Sequence, residues 1–528
     1  MKHLYFLVPI MMLITGAVAQ KQNPKEEIRE KLRQNLPQQA IEKMDLNADP
    51  PDPSGFSGAV MKSQNKEDVQ QWNWSREFGE SGWDHGEAIL TDSHGNLYLA
   101  GSFSGKISID GHSYQTHGLR EGFVAKFDSD HNLMWLKKLE ATQHERTQLN
   151  DLSFGQEGYL YATGYFSGNL SVAEKEMTGT GEKSLLYLKM DTTGNMLFAD
   201  TYDMGKPSVT GKKIETDTLG NYYILAASDS SRILKYNNQG EFKWEIAENE
   251  VFRDMEVAGQ KIYFTGYTED SQGDVGGISY SRKNVYRRFL FSICRLNGDF
   301  SHLTIAKNIN DRYWKRSEGY QITSATEVVH FTNSWGYEYY DEIPVLYLTG
   351  RFEQDIILEE DTLNDFGYSD KCMMARMDTT GNVLSTNIID MQAPTIAPPT
   401  HISVRSSRET VNDQIYISDN EGILYRFNKD GEKLSQQSGG CIREAHCIDE
   451  TTDQLLTTGH KEGKFHLSGF DMYDFHESFR EVFSGNSARA SVAGMVTDSS
   501  GHVYVYGKCN NDVDYFGQTI SKGVFLAK

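Results

Sequence analysis

The segment NDRYWKRSEGYQ at 310–321 combines aromatic rings with guanidinium groups, the side chains most often found at the centre of binding interfaces. Its rings can anchor a protein partner or stack on a sugar, and arginine binds carboxylates through paired hydrogen bonds. The alternative is that Trp314 only covers the edge of a sheet. The candidate ligand-binding residues of this segment are Arg312, Tyr313, Trp314, Arg316 and Tyr320.

A second candidate loop is FTNSWGYEYYDE at 331–342, with Trp335, Tyr337 and Tyr339 as its candidate residues. This segment is a long insertion between the first and second strands of its repeat unit. The first segment joins two units, so the two should lie on opposite faces. We expect them not to form one site.

Motifs for catalysis or metal binding are missing from the sequence. There is no H-E-x-x-H zinc motif and no G-x-S-x-G nucleophile motif. GTGEKS at 179–184 is not a phosphate-binding loop, because Glu182 interrupts the required Gly-Lys pair. Five cysteines are too few for a disulfide scaffold, and the spacing of Cys441 and Cys447 fits no common zinc site. We therefore predict no catalytic residue, no metal and no cofactor.

The composition narrows the class of partner. Acidic residues outnumber basic ones by 74 to 52, which gives a formal net charge of -22. Nucleic acids and anionic lipid surfaces require a basic surface that this balance does not provide. A glycan or a protein is the partner that we expect.

The first residues predict export. Lys2 and His3 precede an apolar run at 4–14, and Ala17-Val18-Ala19 supplies the small residues of a cleavage site. We expect a signal peptide at 1–19 and a secreted, periplasmic or cell-surface protein. Residues 20–70 are predicted to form a short charged helix followed by a Pro/Gly/Ser linker.

Within a predicted propeller domain at 71–528, one pattern recurs from residue 86 onward, in which the third strand of each unit ends in a basic residue. The segments alternate in polarity or run apolar for about six residues, which indicates strands rather than helices. Eight copies predict an all-β β-propeller with eight four-stranded blades, and seven blades are the alternative. The equivalent positions are Lys126, Lys189, Lys235, Arg295, Arg376, Arg426, Gly469 and Lys528.

Turns such as DSHGN at 92–96 and DTTGN at 191–195 separate the predicted strands. Aspartate accepts backbone hydrogen bonds there, and glycine or asparagine takes the positive φ of a tight hairpin. DSDHN at 128–132 has alternating carboxylates but lacks the glycine and distal glutamate of a calcium loop. We interpret all of these segments as hairpin turns.

The recurring basic residue has two interpretations, packing between blades or a basic ring that binds an anion. Packing is favoured, with the stem between sheets and the charge paired with a neighbouring acid. Trp135 and Trp244 each follow this residue by nine positions, and Phe198 stands at the same offset. We expect these rings to fill gaps between twisted sheets.

In the first unit, the segment TDSHGNLYLAGSFSG at 91–105, with its pattern D-x-x-G-N-x-Y-x-x-G, and the following EGFVAKFDSDHNLMW at 121–135 resemble the bacterial secreted β-propeller repeats called SBBP repeats. The resemblance covers most of 72–528 and is weaker in the third, sixth and seventh units. These three shorter copies lack the inserted segment that separates the second and third strands in the other units. The resemblance implies an exported propeller and no particular reaction.

The chain ends on VFLAK at 524–528, a third strand without a fourth, while QQWNWSREF at 70–78 precedes the first complete unit. We predict that this segment completes the last blade, with Trp74 or Trp72 in the place that Trp135 has in its own blade. Such a pairing covers two strand edges that would otherwise be exposed.

The favoured function is an exported binding or scaffold protein that recognises a glycan or protein partner through its loop face. One alternative is a secreted propeller enzyme, either quinoprotein-like or carbohydrate-active. Only YNNQGEFKW and FDSDHNLMW approach the tryptophan repeats of quinoprotein propellers, and no sialidase-type box occurs. A structural surface protein is the remaining alternative.

Overall fold

The computed structural model describes residues 75–78 and, with short gaps, 85–527; the longest stretches outside the description are 1–74, 309–315, 364–370, 390–398 and 406–413. The predicted signal peptide, the helical arm, Trp72 and Trp74 therefore lie outside the described residues. The described residues form strands, turns and bends without an α-helix, and so contain no helix able to span a membrane. The chain divides into two compact units, 1–68 with 327–343 and 69–326 with 344–528.

Eight four-stranded antiparallel sheets, I to VIII, follow one another along the described part of the chain. Strand β1 spans Ser75–Phe78, and sheet I contains β2 (His85–Thr91), β3 (Leu97–Phe103), β6 (Glu121–Phe127) and β7 (Leu133–Lys138) around a hairpin of β4 (Lys106–Ile109) and β5 (His112–Gln115). Sheet II contains β8 (Thr147–Phe154), β9 (Leu160–Phe166), β12 (Ser184–Met190) and β13 (Met196–Asp200) around β10 (Asn169–Val172) and β11 (Lys175–Thr178). Sheet III consists of β14 (Thr210–Thr216), β15 (Tyr222–Ala227), β16 (Ser231–Tyr236) and β17 (Phe242–Glu248).

Sheet IV contains β18 (Val251–Ala258), β19 (Lys261–Thr268), β22 (Arg288–Arg295) and β23 (Phe300–Ile305) around β20 (Gln272–Val275) and β21 (Ile278–Ser281), and β24 (Lys307–Asn308) follows it. Sheet V contains β25 (Ser317–Thr332), β26 (Glu338–Phe352), β29 (Lys371–Asp378) and β30 (Val383–Ile389) around β27 (Ile356–Leu358) and β28 (Asp361–Leu363).

Sheet VI consists of β31 (Pro399–Arg405), β32 (Gln414–Asp419), β33 (Ile423–Asn428) and β34 (Lys433–Ser438), and sheet VII of β35 (Ile442–Asp449), β36 (Gln454–Lys461), β37 (Lys464–Asp471) and β38 (Glu477–Phe483). Sheet VIII contains β39 (Ala490–Thr497), β40 (Val503–Cys509) and β43 (Gly523–Ala527) around β41 (Val513–Tyr515) and β42 (Gln518–Ile520), with β1 as its fourth strand.

Neighbouring sheets are joined through their first strands. The Ile214 amide donates to Asp151 Oδ2 across 2.8 Å, and the Ile322 amide donates to Asp254 Oδ2 across 3.0 Å. At the other end of the series, Tyr506 of sheet VIII is buried in the hydrophobic core of sheet I. Successive four-stranded meanders packed in this way are the architecture of a β-propeller. The predicted all-β fold class is confirmed.

The core lies between the sheets. Second strands such as β3 are buried along their whole length, which explains their continuous apolar sequence, LYLAGSF. Fourth strands such as β7 alternate in exposure, because one of their faces meets solvent. The hairpins between second and third strands also contribute apolar side chains to the core, as Ile107, Leu170 and Val275 show. As expected, sheets III, VI and VII lack this hairpin in the part of the chain that is described.

Strand β1 pairs antiparallel with β43, with Ser75 opposite Ala527 and Phe78 opposite Val524. In sheet I the corresponding pair joins Leu136 to Ala125. This pairing is the one that completion of the last blade requires. The blade number of eight and the closure of the propeller through 70–78 stay predictions, and truncation of the chain can test them.

At its first three positions the recurring basic residue packs between neighbouring sheets, as the favoured interpretation expects. Its partner differs from the expected acid, because the ammonium group donates to a backbone carbonyl in the next sheet's turn between third and fourth strands. The aliphatic stem of the lysine lies along the sheet, and the carbonyl is the acceptor that its ammonium group reaches. The ammonium group of Lys126 also lies 5.1 Å from the centre of the Tyr98 ring. The pairs, at 2.5 to 3.1 Å, are Lys126 with Thr192, Lys189 with Asn238, and Lys235 with Leu296.

The equivalence assigned to Arg295 is wrong. Tyr263 pairs with Ile293 in sheet IV, whereas the corresponding tyrosine of sheet I, Tyr98, pairs with Lys126. Ile293 therefore occupies the recurring position, and Arg295 begins the turn. Lys261 of β19 replaces the missing lysine by donating to the Thr379 carbonyl of the next sheet.

The aromatic residues of the fourth strands pack on the turn glycines of the next sheet, as expected. A Cβ atom on Gly194 would lie 2.8 Å from the Trp135 ring, and one on Gly240 would lie 3.0 Å from the Phe198 ring. The Trp135 indole also donates to the Thr192 carbonyl across 3.2 Å. Glycine is therefore required at these turns for close approach as well as for positive φ.

Gly194→Ala is expected to destabilise the protein by about 1 to 3 kcal/mol more than Gly277→Ala, because the new methyl group overlaps Trp135. The two glycines have φ of 89° and 87°, so the backbone strain is matched, but nothing lies within 4 Å of a Cβ on Gly277. Urea unfolding of both variants measures the difference. Equal destabilisation would show that the ring contact contributes nothing.

Candidate functional site

A buried carboxylate surrounded by three arginines lies where sheets IV and V meet. The Glu318 side chain is fully buried. It accepts hydrogen bonds from Arg253 Nη2, from Arg287 Nη1 at 3.0 Å and from Arg351 Nη2 at 3.3 Å. Together with two adjacent tyrosines these residues form the Arg–Tyr cluster, defined as Arg253, Tyr267, Arg287, Glu318, Tyr320 and Arg351.

Close packing of β25 on sheet IV positions the carboxylate. Ser317 Oγ accepts a hydrogen bond from the Phe289 amide at 2.9 Å. Two residues later, a Cβ on Gly319 would lie only 2.0 Å from Thr265 Oγ1, so this glycine allows the strands to meet. Glu318, between the two, is held in a fixed place beside the arginines.

A β-bulge positions the central arginine. The register of β18 against β19 shifts between Phe252 and Asp254, so Arg253 is the extra residue of the bulge. Its guanidinium carbon lies 5.3 Å from the centre of the Tyr267 ring and 4.7 Å from that of the Tyr320 ring. The bulge thus directs one cation toward two aromatic rings and a carboxylate.

The charges of the cluster are strongly coupled. Burial alone would raise the pKa of Glu318, but the hydrogen bond from Arg287 and the charges of Arg253 and Arg351 outweigh it, so the pKa lies below its ordinary value. Burial and the nearby Glu318 carboxylate raise the pKa of Tyr320 to about 12. Glu318 is therefore ionised and Tyr320 protonated at neutral pH.

The cluster concentrates positive charge at the surface of an acidic protein. Three guanidinium groups face two carboxylates, those of Glu318 and of the exposed Glu269, which binds Arg287 Nε at 2.7 Å. The side chains of Arg253 and Arg287 are each 32% exposed, so their edges remain accessible to a ligand. Such an arrangement is suited to binding an anionic group.

The tyrosine rings of the cluster are in contact with arginine guanidinium groups. Tyr267 has Arg287 at 4.5 Å and Arg253 at 5.3 Å from its centre. Tyr320 has Arg253 at 4.7 Å and Arg351 at 6.0 Å. These contacts compete with the stacking on a sugar that Tyr320 suggested in the sequence. The geometry favours an anionic ligand that meets guanidinium edges.

An equivalent position with different charges lies between sheets I and II. Thr147 and Ser317 make the same hydrogen bonds, since their amides donate to the carbonyls of Arg120 and Arg287, each at 3.0 Å. Gln148 therefore corresponds to Glu318, and Arg120 donates to its Oε1 across 3.2 Å. Gln148 in turn donates to Glu87, the bulge residue of β2, across 3.1 Å. The two pairs of sheets therefore share the same backbone hydrogen bonds at this position. Of the two pairs, sheets IV and V are the one that brings three arginines together there.

The structure places the predicted site residues unequally. Tyr320 belongs to the cluster, and the exposed Arg316 precedes β25, where its carbonyl accepts from the Glu353 amide at 2.9 Å. Tyr339 lies on β26, whose backbone alone is described at that position. The predicted site residues outside the described part of the chain are Arg312, Tyr313, Trp314, Trp335 and Tyr337.

Sequence reasoning missed most of the cluster, because Arg253 on β18, Arg287 just before β22 and Arg351 on β26 are far apart in the sequence and only the sheet packing brings them together. One signal was available in SRKNVYRRF at 281–289, a basic segment in an acidic chain. A cavity of about 260 Å³ lies elsewhere, lined by Tyr187, Phe198 and neighbouring residues of sheets II and III. Within the described residues, no group of histidine, cysteine and carboxylate side chains is arranged to hold a metal ion.

No family model and no curated protein matches this chain in sequence. Among solved structures, it is similar to the Dos1 propeller, with 11% identity, a TM-score of 0.46 and coverage of 87% of this chain and 95% of that one. It is also similar to BamB from Moraxella catarrhalis (10% identity, TM-score 0.42, 86% and 97% covered) and to the WD40 beta propeller domain of Doa1 (8%, 0.38, 87% and 96%). The sheets described above assign this chain to the class of β-propeller repeats, and its relation to the SBBP repeats stays a prediction.

Proposed function

We propose that this chain is an exported partner-binding propeller, related to the SBBP repeats, that recognises another protein through the Arg–Tyr cluster. The observation that carries the proposal is the convergence of three partly exposed arginines on one buried carboxylate. Arginine and tyrosine are the residues most enriched where protein interfaces gain their binding energy. Elsewhere the same framework holds an uncharged Gln148.

A protein partner fits this surface better than a neutral glycan. Tyr267 and Tyr320 already contact guanidinium groups, and those groups present hydrogen-bond donors that match carboxylates. In the sequence, Glu318 and Tyr320 directly follow 310–316, which offers further aromatic and basic residues. A glycan partner becomes one of the outcomes of the test.

The test is capture from an extract of the source cells on immobilised protein, followed by mass spectrometry. The variant Arg253→Gln/Arg287→Gln is expected to lose one or more proteins that the wild-type chain retains. Arg120→Gln is the matched control, because Arg120 occupies the position of Arg287 between sheets I and II. Retention of the same proteins by all three chains would contradict the proposal, and loss of a polysaccharide alone would favour a glycan.

A further inference from the structure

The arrangement of Glu318 shows which ligand group the Arg–Tyr cluster fits. One carboxylate already occupies the centre, with Oε2 bound by Arg253 and Oε1 bound by Arg287 and Arg351. Among the described residues, Arg253 hydrogen-bonds to Glu318 alone, through one of the five N–H donors of a guanidinium group. Its remaining donors can bind a second carboxylate at the exposed edge.

We infer that the Arg–Tyr cluster binds carboxylate side chains of an acidic peptide segment, with Glu318 as the internal counter-ion that sets the affinity. This inference rests on the proposed function and names the chemistry of the partner. A peptide is favoured over a small dicarboxylate because the arginines lie at a partly open surface, whereas small ligands need to be enclosed.

Glu318 has two opposing effects in this arrangement. It holds the three arginines together, which lowers the entropy that binding would otherwise cost. It also cancels part of their charge and uses some of their donors, which weakens attraction for a second carboxylate. Removing its charge while keeping its shape should therefore strengthen binding, and Gln148 shows that the framework accepts glutamine at this position.

The probe is a fluorescently labelled hexaglutamate peptide, titrated in low salt into the full chain and followed by fluorescence anisotropy. Hexaglutamine of the same length is the ligand control. Arg253→Gln should weaken hexaglutamate binding roughly tenfold, the usual effect of losing one charged hydrogen bond. Glu318→Gln should strengthen it several-fold, and Arg120→Gln should leave it unchanged.

Circular dichroism and the unfolding midpoint establish that each variant is folded. If Arg253→Gln fails to fold, because Glu318 loses a partner, the gain on Glu318→Gln still decides the matter. Absence of hexaglutamate binding, equal binding of hexaglutamine, or no gain on Glu318→Gln would each overturn the inference. Competition by millimolar phosphate as effective as that by glutamate peptides would replace it with a general anion site.

Failure of this inference can be distinguished from failure of the proposed function. If captured proteins still depend on Arg253 and Arg287 while hexaglutamate neither binds nor competes with them, only the acidic peptide is excluded. If no captured protein depends on those arginines, the proposed function itself fails.

Discussion

A protein that lacks residues 20–78 is expected to aggregate or to unfold at a markedly lower temperature than the chain that retains residues 20–528. The deletion removes β1, whose backbone pairs with β43 from Ser75 opposite Ala527 to Phe78 opposite Val524. Strand β43 would then expose an unpaired edge, which is a template for association with other chains. The deletion would also abolish the predicted closure of the propeller through 70–78.

Removal of residues 20–60 is the matched control, because this shorter deletion leaves 70–78 in place. It should yield a soluble protein with a melting temperature close to that of the chain that retains residues 20–528. Size-exclusion chromatography and thermal unfolding at a fixed heating rate compare the two. Equal stability of the two truncated chains would contradict the closure and, with it, the count of eight blades.

Lys213→Met is expected to lower the free energy of unfolding by about 2 to 3 kcal/mol near pH 8, somewhat less than for a fully buried ion pair. Lys213 Nζ lies 3.3 Å from Asp254 Oδ1 and 3.6 Å from Glu215 Oε1, on the first strands of sheets III and IV. Asp151 and Glu256 also interact with this ammonium group. Without the lysine, four carboxylates would face one another with no cation between them.

The loss should depend on pH. Burial raises the pKa of Glu215 to about 8 and that of Asp151 to about 6, in each case against the attraction of Lys213. A carboxyl group whose pKa is higher in the folded state stabilises the fold below its unfolded pKa, and this stability is lost as the pH rises through the folded value. The stability that Glu215 and Asp151 contribute to the wild-type protein should therefore be lost between about pH 4 and pH 8.

The effect of Lys213→Met should be small near pH 4, where Glu215 and Asp151 are protonated, and largest near pH 8, where both titrate toward the charged form. Lys212→Met is the control, because Lys212 is the exposed neighbour on the same strand. Urea unfolding at several pH values measures both. A deficit that does not change with pH would show that the lysine acts through its packing alone.

The sequence was sufficient to predict the class of fold because every repeat contains the same local chemistry. Asp-Gly turns, apolar second strands and a basic residue at the end of the third strand are local features that one unit displays in full. The assignment of Arg295 to the recurring basic position was wrong, because Lys261 on another strand makes the contact that a lysine of the third strand makes in sheets I to III. Only the register of the pairing reveals this exchange.

The site was much less predictable. Arg253 is aimed at Glu318 by a bulge, and a one-residue shift in register has no signature in the sequence. Glu318 belongs to 310–321, the segment that the sequence analysis selected for its aromatic and basic residues. Its burial, however, depends on the packing of Gly319 against Thr265 of another sheet. A cluster of side chains from segments far apart in the sequence can be recognised only once the packing of those segments is known.

The most direct test of binding at the Arg–Tyr cluster is photocrosslinking from a residue beside it. Arg316→p-benzoylphenylalanine places the reactive group at an exposed position immediately before β25, and Arg146→p-benzoylphenylalanine places it at the equivalent exposed position before β8. After irradiation in an extract of the source cells, the chain carrying the group at 316 should form a specific crosslinked protein product, which Arg253→Gln abolishes. Identical products from 316 and 146, or a product that survives Arg253→Gln, would contradict binding at this site.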